Sequence, residues 1–250
     1  MLAHALERTR AWLFAWPEHV PTDVQRERFE RLVEARAGGM PVAYLLGRRA
    51  FWSLDLAVTP AVLIPRPETE LLVELALERV PEKVACGIAD LGTGSGAIAL
   101  ALAHERPLAR VRATDLSTHA LDVARSNARR LGLANIEFAH GDWCDALGDA
   151  RFDLIVSNPP YIAADDPHLS RGDPRHEPTS ALASGADGLD AIRTIVATAP
   201  SHLLPGGWLL IEHGWEQATQ VRDLLERRGL SSVRSARDIA GHERVSFARL

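Results

Sequence analysis

The chain has 250 residues, 46% hydrophobic and 24% charged, with a formal net charge of −5. That composition belongs to a globular protein with a sizeable core, not a disordered or fibrous chain, and its negative balance argues against a dedicated nucleic-acid binder. Two distant cysteines, a charge-interrupted N-terminus and the lack of an apolar run of about 18 residues argue against a disulfide framework, a secretory leader and a membrane span, so a cytoplasmic location is expected.

Residues 1–37 read as helical. Leu2, Leu6, Leu13 and Phe14 mark one apolar face, broken at Pro17, and Phe29, Leu32 and Val33 mark another after Pro21. Gly38-Gly39 and Pro41 end that region. The stretch AFWSLDLAVTPAVLIP (50–65) alternates as a short β-hairpin or an extended linker would. PETELLVELALERV (67–80) opens with Pro and Glu, good first-turn residues, and continues with helical periodicity. The expected division is an N-terminal helical unit over 1–42, a hairpin and linker over 43–67, and a larger domain over 68–250.

From residue 84 strands and helices alternate. VACGIADL precedes a helix at 96–105, and ARVRATDL precedes one at about 117–131. NIEFAH, FDLIVS and GWLLIEHG are three more strands, the last after a helix near 188–199. A helix at 216–228 and strands near 231–237 and 243–249 close the chain. This order predicts an α/β fold with a doubly wound, mostly parallel seven-stranded sheet and ligands at the carboxyl ends of its strands. The last two strands lie too close in sequence for a crossover, so they should pair antiparallel. His168, Asp173, His176 and Glu177 crowd one loop, which reads as a solvated surface; no metal is expected.

The sharpest local signal is DLGTGSGAIALALA (90–103), joining a strand to a helix. Gly92, Gly94 and Gly96, with Thr93 and Ser95 between them, let the backbone turn and approach a ligand closely. Gly92, Gly94 and Ala97 also satisfy the looser GxGxxA dinucleotide pattern. Asp115 ends the next strand, where a carboxylate would accept hydrogen bonds from ribose hydroxyls. Asp142-Trp143 follows the third strand, where a polar group and an aromatic can flank an adenine ring, although Trp143 taken alone reads equally well as core. A nicotinamide enzyme would need a hydride site with a proton relay, and none is visible. The glycine loop, Asp115, Asp142-Trp143 and the strand exit described next point together to S-adenosylmethionine.

That strand exit is SNPPYI, residues 157–162. Pro159 and Pro160 cannot continue a central strand, and the residue before a proline is held extended. On Asn158-Pro159 alone, a stiff exit and a functional turn are equal readings. A planar NH₂ group is what the functional reading would hold. The Asn158 side-chain oxygen and the Pro159 carbonyl can accept its two N–H bonds while Tyr161 packs on its face. The clamp would also suit an adenine N6 or cytosine N4 amine, but a DNA enzyme needs a base-reading insertion and basic grooves, neither of which is visible.

The segments PVAYLLGRRAFW, LIPRPETE, DLGTGSGAIALALA, GDW, IVSNPPYI, EPTSALASGADGLDAIR, LLIEHG and ERV together resemble the protein-(glutamine-N5) methyltransferases that act on peptide-chain release factors. The resemblance spans roughly 41–250. It implies a Rossmann-like class I fold with a small N-terminal helical domain that helps recognise the release factor. It implies S-adenosylmethionine bound by Gly92 to Gly96, Asp115, Trp143 and Asn158. It also implies that Asn158, Pro159, Pro160 and Tyr161 hold the glutamine amide of a Gly-Gly-Gln motif in the factor. A ribosomal-protein glutamine is the alternative protein substrate, and a monomer is expected. The sequence departs from the family at His176, where an aromatic is usual, and in an N-terminal region short for the family's helical bundle.

Overall fold

Ile88, Ala89, Leu91, Leu154, Ile155, Val156, Leu209, Leu210 and Ile211 are all fully buried. These near-continuous apolar runs are what a parallel sheet covered on both faces requires. The computed structural model describes every residue from Met1 to Leu250. It places β3 (Gly87–Leu91), β4 (Arg110–Asp115), β5 (Ile136–His140), β6 (Phe152–Ser157), β7 (Leu203–Glu212), β8 (Ser231–Arg237) and β9 (Glu243–Arg249) in one sheet. Their order is β5-β4-β3-β6-β7-β9-β8. Pairing is parallel from β5 through β7, whereas β9 runs antiparallel to both β7 and β8. The expected sheet and its antiparallel edge are thus both present.

Helices cover the two faces. On one side α5 (Glu70–Arg79), α6 (Ala97–Glu105) and part of α7 (Thr118–Leu131) bury Leu72, Val73, Leu100, Leu102 and Ala128 against β3, β4 and β6. On the other, α8 (Asp190–Thr198) and α9 (Ala218–Arg227) bring Ile192, Ile195, Val221 and Leu225 against Ile155, Leu209 and Ile211. The chain leaves β3 towards β4 and β5, then returns to β6 on β3's other side. The crevice between the ends of β3 and β6 is therefore the topological switch point, where open α/β sheets take their ligands.

Ahead of this domain lie α1 (Leu2–Ala5), α2 (Arg10–Ala15), α3 (Asp23–Ala37) and α4 (Val42–Leu46). Thr22 and Gln25 form a reciprocal capping box that starts α3. The expected internal apolar faces are only partly right. Leu6 is buried, but Phe14 is 80% exposed and Val33 42% exposed. A break at Glu7, which takes positive φ, splits the first helix, and neither α2 nor α3 buries any residue fully.

The hairpin is shorter and earlier than its sequence suggests, with β1 (Arg48–Phe51) paired to β2 (Leu54–Ala57). Residues 58–66 contribute no strand, as Pro60 and Pro65 dictate. They form a strap across the crevice. The first sheet strand also starts later, at Gly87, leaving Val84 at 52% exposure.

Asn127 on α7 is fully buried and ties three parts together. Its Oδ1 accepts from the Ala57 amide at 2.7 Å, and its Nδ2 donates to the carbonyls of Ala57 at 3.0 Å and Ser95 at 2.9 Å. Asn127→Ala strands these backbone groups away from water. It is expected to lower stability by about 2 kcal/mol, read as a lower Tm of about 4–8 °C. An unchanged melting curve would contradict this.

Candidate active site

The glycine loop turns where β3 ends because neither side of it has room for a Cβ. A Cβ on Gly92 would lie 3.1 Å from Trp143 Cζ3, and one on Gly96 would lie 2.8 Å from Leu100 Cδ1. Both positions also take positive φ, of 73° and 87°, which favours glycine. The indole of Trp143 therefore packs against the loop backbone. Below the loop, Asp90 is fully buried and accepts from the Thr93 hydroxyl at 2.6 Å, while its Oδ1 has no partner. Burial pushes the Asp90 carboxyl up to about 7, against the opposing Thr93 bond.

Asp115, at the end of β4, braces the same loop from the side. Its Oδ2 accepts from the Gly94 amide and its Oδ1 from the Ser117 amide, each at 2.8 Å. Burial raises its pKa and these two N–H groups oppose the rise. Each oxygen keeps a lone pair for a further donor.

Gly92, Gly94, Asp115 and Trp143 line one cavity of about 300 Å³. Of the residues predicted from the sequence, Gly92, Thr93, Gly94, Ser95, Asp115, Asp142, Trp143, Asn158 and Pro160 all face it. The strap (Ala61 to Arg66) and the segment Pro178 to Ala181 close its far wall. Gly96 does not line this cavity; packing against Leu100 and Ala124 accounts for it. Pro159 and Tyr161 line a smaller cavity of about 100 Å³, which Asn158, Pro160, Leu63, Arg66 and Ala181 share with the larger one. Asn158 thus stands at the junction of two compartments.

One contact orients it. Asn158 Nδ2 donates to Thr69 Oγ1 at 3.1 Å, so the amide's NH₂ side is occupied and Oδ1 is the free end. Tyr161 turns its hydroxyl towards Glu212 Oε1, 3.5 Å away, and its carbonyl accepts from Gln217 Nε2 at 3.0 Å. Burial pushes the Tyr161 phenol well above its ordinary range, with the Glu212 charge adding to the rise.

Five further contributors, Asp90, Thr69, Glu212, Arg66 and Glu177, lie within the quoted segments but carry no role that the sequence reading assigns. The buried Glu177 carboxylate receives Arg66 at 2.5 Å and the Ile64 amide at 3.3 Å, fastening the strap to the segment after β6. The loop acids and histidines take separate partners. Asp173 pairs with Arg36 at 2.8 Å, His176 Nε2 accepts from Arg175 at 2.9 Å, and His168 pairs with Asp166 at 2.7 Å.

Chemically, the larger cavity offers backbone N–H groups, two carboxylates and an indole face, a donor and acceptor set suited to a nucleoside. The smaller one is lined by Asn158, Pro159 and Pro160, whose oxygens are acceptors of the kind an NH₂ group needs.

The comparisons with known proteins agree with this geometry. The family described as Methyltransferase small domain matches residues 68–170, and the PrmC N-terminal domain matches residues 1–47. A release factor glutamine methyltransferase of Xylella fastidiosa is 56% identical over 100% of this chain and 90% of its own length. That of Pseudomonas aeruginosa is 52% identical with the same coverage. Among solved structures, a Pyrococcus furiosus methyltransferase shares the fold with a TM-score of 0.60 at 19% identity, covering 89% of this chain and 97% of that one. No helix is long and apolar enough to cross a membrane. With two curated relatives above half identity along the whole chain, the protein belongs to the release factor glutamine methyltransferase family.

Proposed function

We propose that the protein transfers a methyl group from S-adenosylmethionine to the side-chain nitrogen (N5) of a glutamine, that of the Gly-Gly-Gln motif in a peptide-chain release factor, and so modulates translation termination. The observation that carries this reading is Asn158, whose Nδ2 is held by Thr69 so that Oδ1 is left at the meeting of the two cavities.

Gly92 to Ser95, Asp115, Asp142 and Trp143 would hold the cofactor. Asp115 would receive ribose hydroxyls, and Asp142 and Trp143 would flank the adenine. The fit rests on the open face of Gly94, where a Cβ would meet nothing within 4 Å, and on the Trp143 wall. When bound, S-adenosylmethionine supplies an electrophilic methyl carbon.

A glutamine amide is a weak nucleophile because its nitrogen lone pair is delocalised. Asn158 Oδ1 and the Pro159 carbonyl would accept its two N–H bonds. Both contacts strengthen as positive charge develops on nitrogen, which is the differential binding that accelerates transfer. The nitrogen would gain the methyl as the carbon–sulfur bond breaks, its electron pair leaving with the neutral thioether, and would then release one proton to solvent, so no strong base is needed. Tyr161, its hydroxyl engaged elsewhere, would contribute its ring to the amide plane.

The N-terminal region is well placed to read the protein partner. Arg36 pairs with Asp173, and Arg175 donates to the Gly38 carbonyl at 2.8 Å, joining α3 to the loop whose Pro174 lines the smaller cavity. Phe14, Trp16, Val20 and Val24 are 80%, 62%, 78% and 73% exposed. Replacing Phe14 and Trp16 by Asp is expected to raise KM for intact factor about tenfold. The kcat, and methylation of a short glutamine peptide, should not change. Equal effects on peptide and factor would contradict a docking role.

The function itself is tested by labelled-methyl transfer to release factor, ribosomal proteins and duplex DNA side by side. Label entering release factor alone supports the reading. Label in either of the others overturns it.

A further inference from the structure

The parallel register of β6 and β7 pairs Ser157 with Ile211. One step further along both strands stand Asn158 and Glu212. Glu212 is 1% exposed and Thr69 3% exposed. The amide clamp makes no direct use of Glu212, and burying a carboxylate is costly unless its charge is paired and hydrogen-bonded. The carboxylate is only half satisfied. The Tyr161 hydroxyl reaches Oε1 at 3.5 Å and the Thr69 hydroxyl lies nearby without a formed hydrogen bond to it, while Oε2 has no hydrogen-bond partner.

The direction of the hydrogen bonds follows from the charge. An ionised carboxylate can only accept, and the Thr69 oxygen already receives Asn158 Nδ2, so the Thr69 hydroxyl, a free rotor, would turn its proton towards Glu212. Its oxygen is then left as an acceptor, and Asn158 Nδ2 donates to it at 3.1 Å. With Nδ2 committed, Oδ1 is the end that meets the substrate. A neutral Glu212 could donate to Thr69 instead, freeing the Thr69 proton for Asn158 Oδ1. That would flip the amide and point an NH₂ group at the substrate's NH₂ group, donor against donor.

We propose that Glu212 is a positioning residue for methyl transfer: its buried carboxylate, acting through the Thr69 hydroxyl, sets the polarity of Asn158 and so keeps Oδ1 towards the substrate nitrogen. The inference rests on the clamp reading of Asn158.

Burial raises the Glu212 carboxyl to about 7, opposed by the Thr69 and Tyr161 hydroxyls and by Arg244, and assisted by Glu68. Arg244 on β9 is itself bound to Asp238 at 2.9 Å, and Arg66 faces the Tyr161 side of the group. His213, next in sequence, is engaged by Ser246 Oγ at 2.8 Å and the Gly214 carbonyl at 2.9 Å. Because the folded pKa lies above the ordinary carboxylate value of 4.5, this group's stability contribution is full below that value and is lost as pH rises through about 7. The active, charged form is therefore the less stable one.

The test is single-turnover methyl transfer by the full-length enzyme to intact release factor, at saturating cofactor, on both sides of neutrality. The parent rate should rise with pH through about 7 and then level. Glu212→Gln should be about tenfold slower on the plateau and flat with pH, since its amide accepts from Thr69 without imposing the polarity. Its cofactor affinity should be unchanged, and above neutrality it should melt no lower than the parent. Thr69→Val should lose about as much, and Thr69→Ser, which keeps the hydroxyl, should recover it. A parental plateau rate in Glu212→Gln, or a surviving pH limb that assigns the titration to Asp90 or another group, would overturn the proposal. If Glu212→Gln does not fold, equal rates for Thr69→Val and Thr69→Ser would overturn it. The clamp has its own arm: Asn158→Ala at parental rate removes the clamp and this inference together, whereas a slow Asn158→Ala beside an unaffected Glu212→Gln removes this inference alone.

Discussion

Asn158→Ala is expected to lower single-turnover methyl transfer by on the order of 10²–10³, the usual loss when one preorganised partner of a developing charge is removed. The substitution deletes the amide oxygen at the junction of the two cavities and leaves the nitrogen of the substrate held by the Pro159 carbonyl alone. It also strips Thr69 Oγ1, 3% exposed, of the donor it receives at 3.1 Å. A stability loss of about 1–2 kcal/mol should therefore accompany the rate loss, and thermal melting separates the two. Some loss of cofactor affinity is also expected, because Asn158 lines the larger cavity as well as the smaller. Asn158→Asp keeps an acceptor oxygen but brings a negative charge beside the sulfonium and loses the donor to Thr69. It should be faster than Asn158→Ala and well below the parent. A folded Asn158→Ala protein at near-parental rate would return the residue to the status of a strand exit.

Asp115→Ala is expected to weaken S-adenosylmethionine binding by roughly 10- to 100-fold, the equivalent of about 1.5–3 kcal/mol for a hydrogen bond to a charged group. The carboxylate would receive the ribose hydroxyls, and it also anchors the Gly94 and Ser117 amides at 2.8 Å each. Its loss therefore loosens the glycine loop as well as removing a ligand contact. At saturating cofactor the transfer rate should fall much less, since no group on the reacting nitrogen is touched. Asp115→Asn, which keeps one acceptor oxygen, should lie between. Calorimetry that finds unchanged affinity in Asp115→Ala would contradict the placement of the ribose.

The larger-cavity half of the candidate site was legible in the sequence because its signals are local. Gly92 and Gly94 report backbone conformations that favour glycine, and Asp115 and Trp143 each follow a strand whose end the pattern already locates. Gly96 was legible as a glycine but not in its role, because the atoms that exclude its Cβ belong to Leu100 and Ala124. The supporting half was not readable. Thr69, Glu177, Asn127 and Glu212 find their partners far along the chain, through sheet register and strap closure that no local pattern encodes. Glu212 at the end of an apolar run reads as an ordinary strand exit until the β6–β7 register sets it beside Asn158. The apolar spacing of the first helices misled for a different reason. Periodicity marks a face, but does not say what covers it, and here Phe14 and Val33 are exposed.

The central claim is that the turn from Asn158 to Tyr161 presents acceptors to one glutamine amide, and the site of methylation tests it most directly. Full-length protein, labelled S-adenosylmethionine and intact release factor are incubated for a fixed time, and the digested factor is mapped by mass spectrometry. The account predicts a single methyl on the side-chain nitrogen of the Gly-Gly-Gln glutamine, with almost none formed by folded Asn158→Ala in the same interval. A methyl on any other kind of residue, or an equal yield from the Asn158→Ala protein, would contradict it.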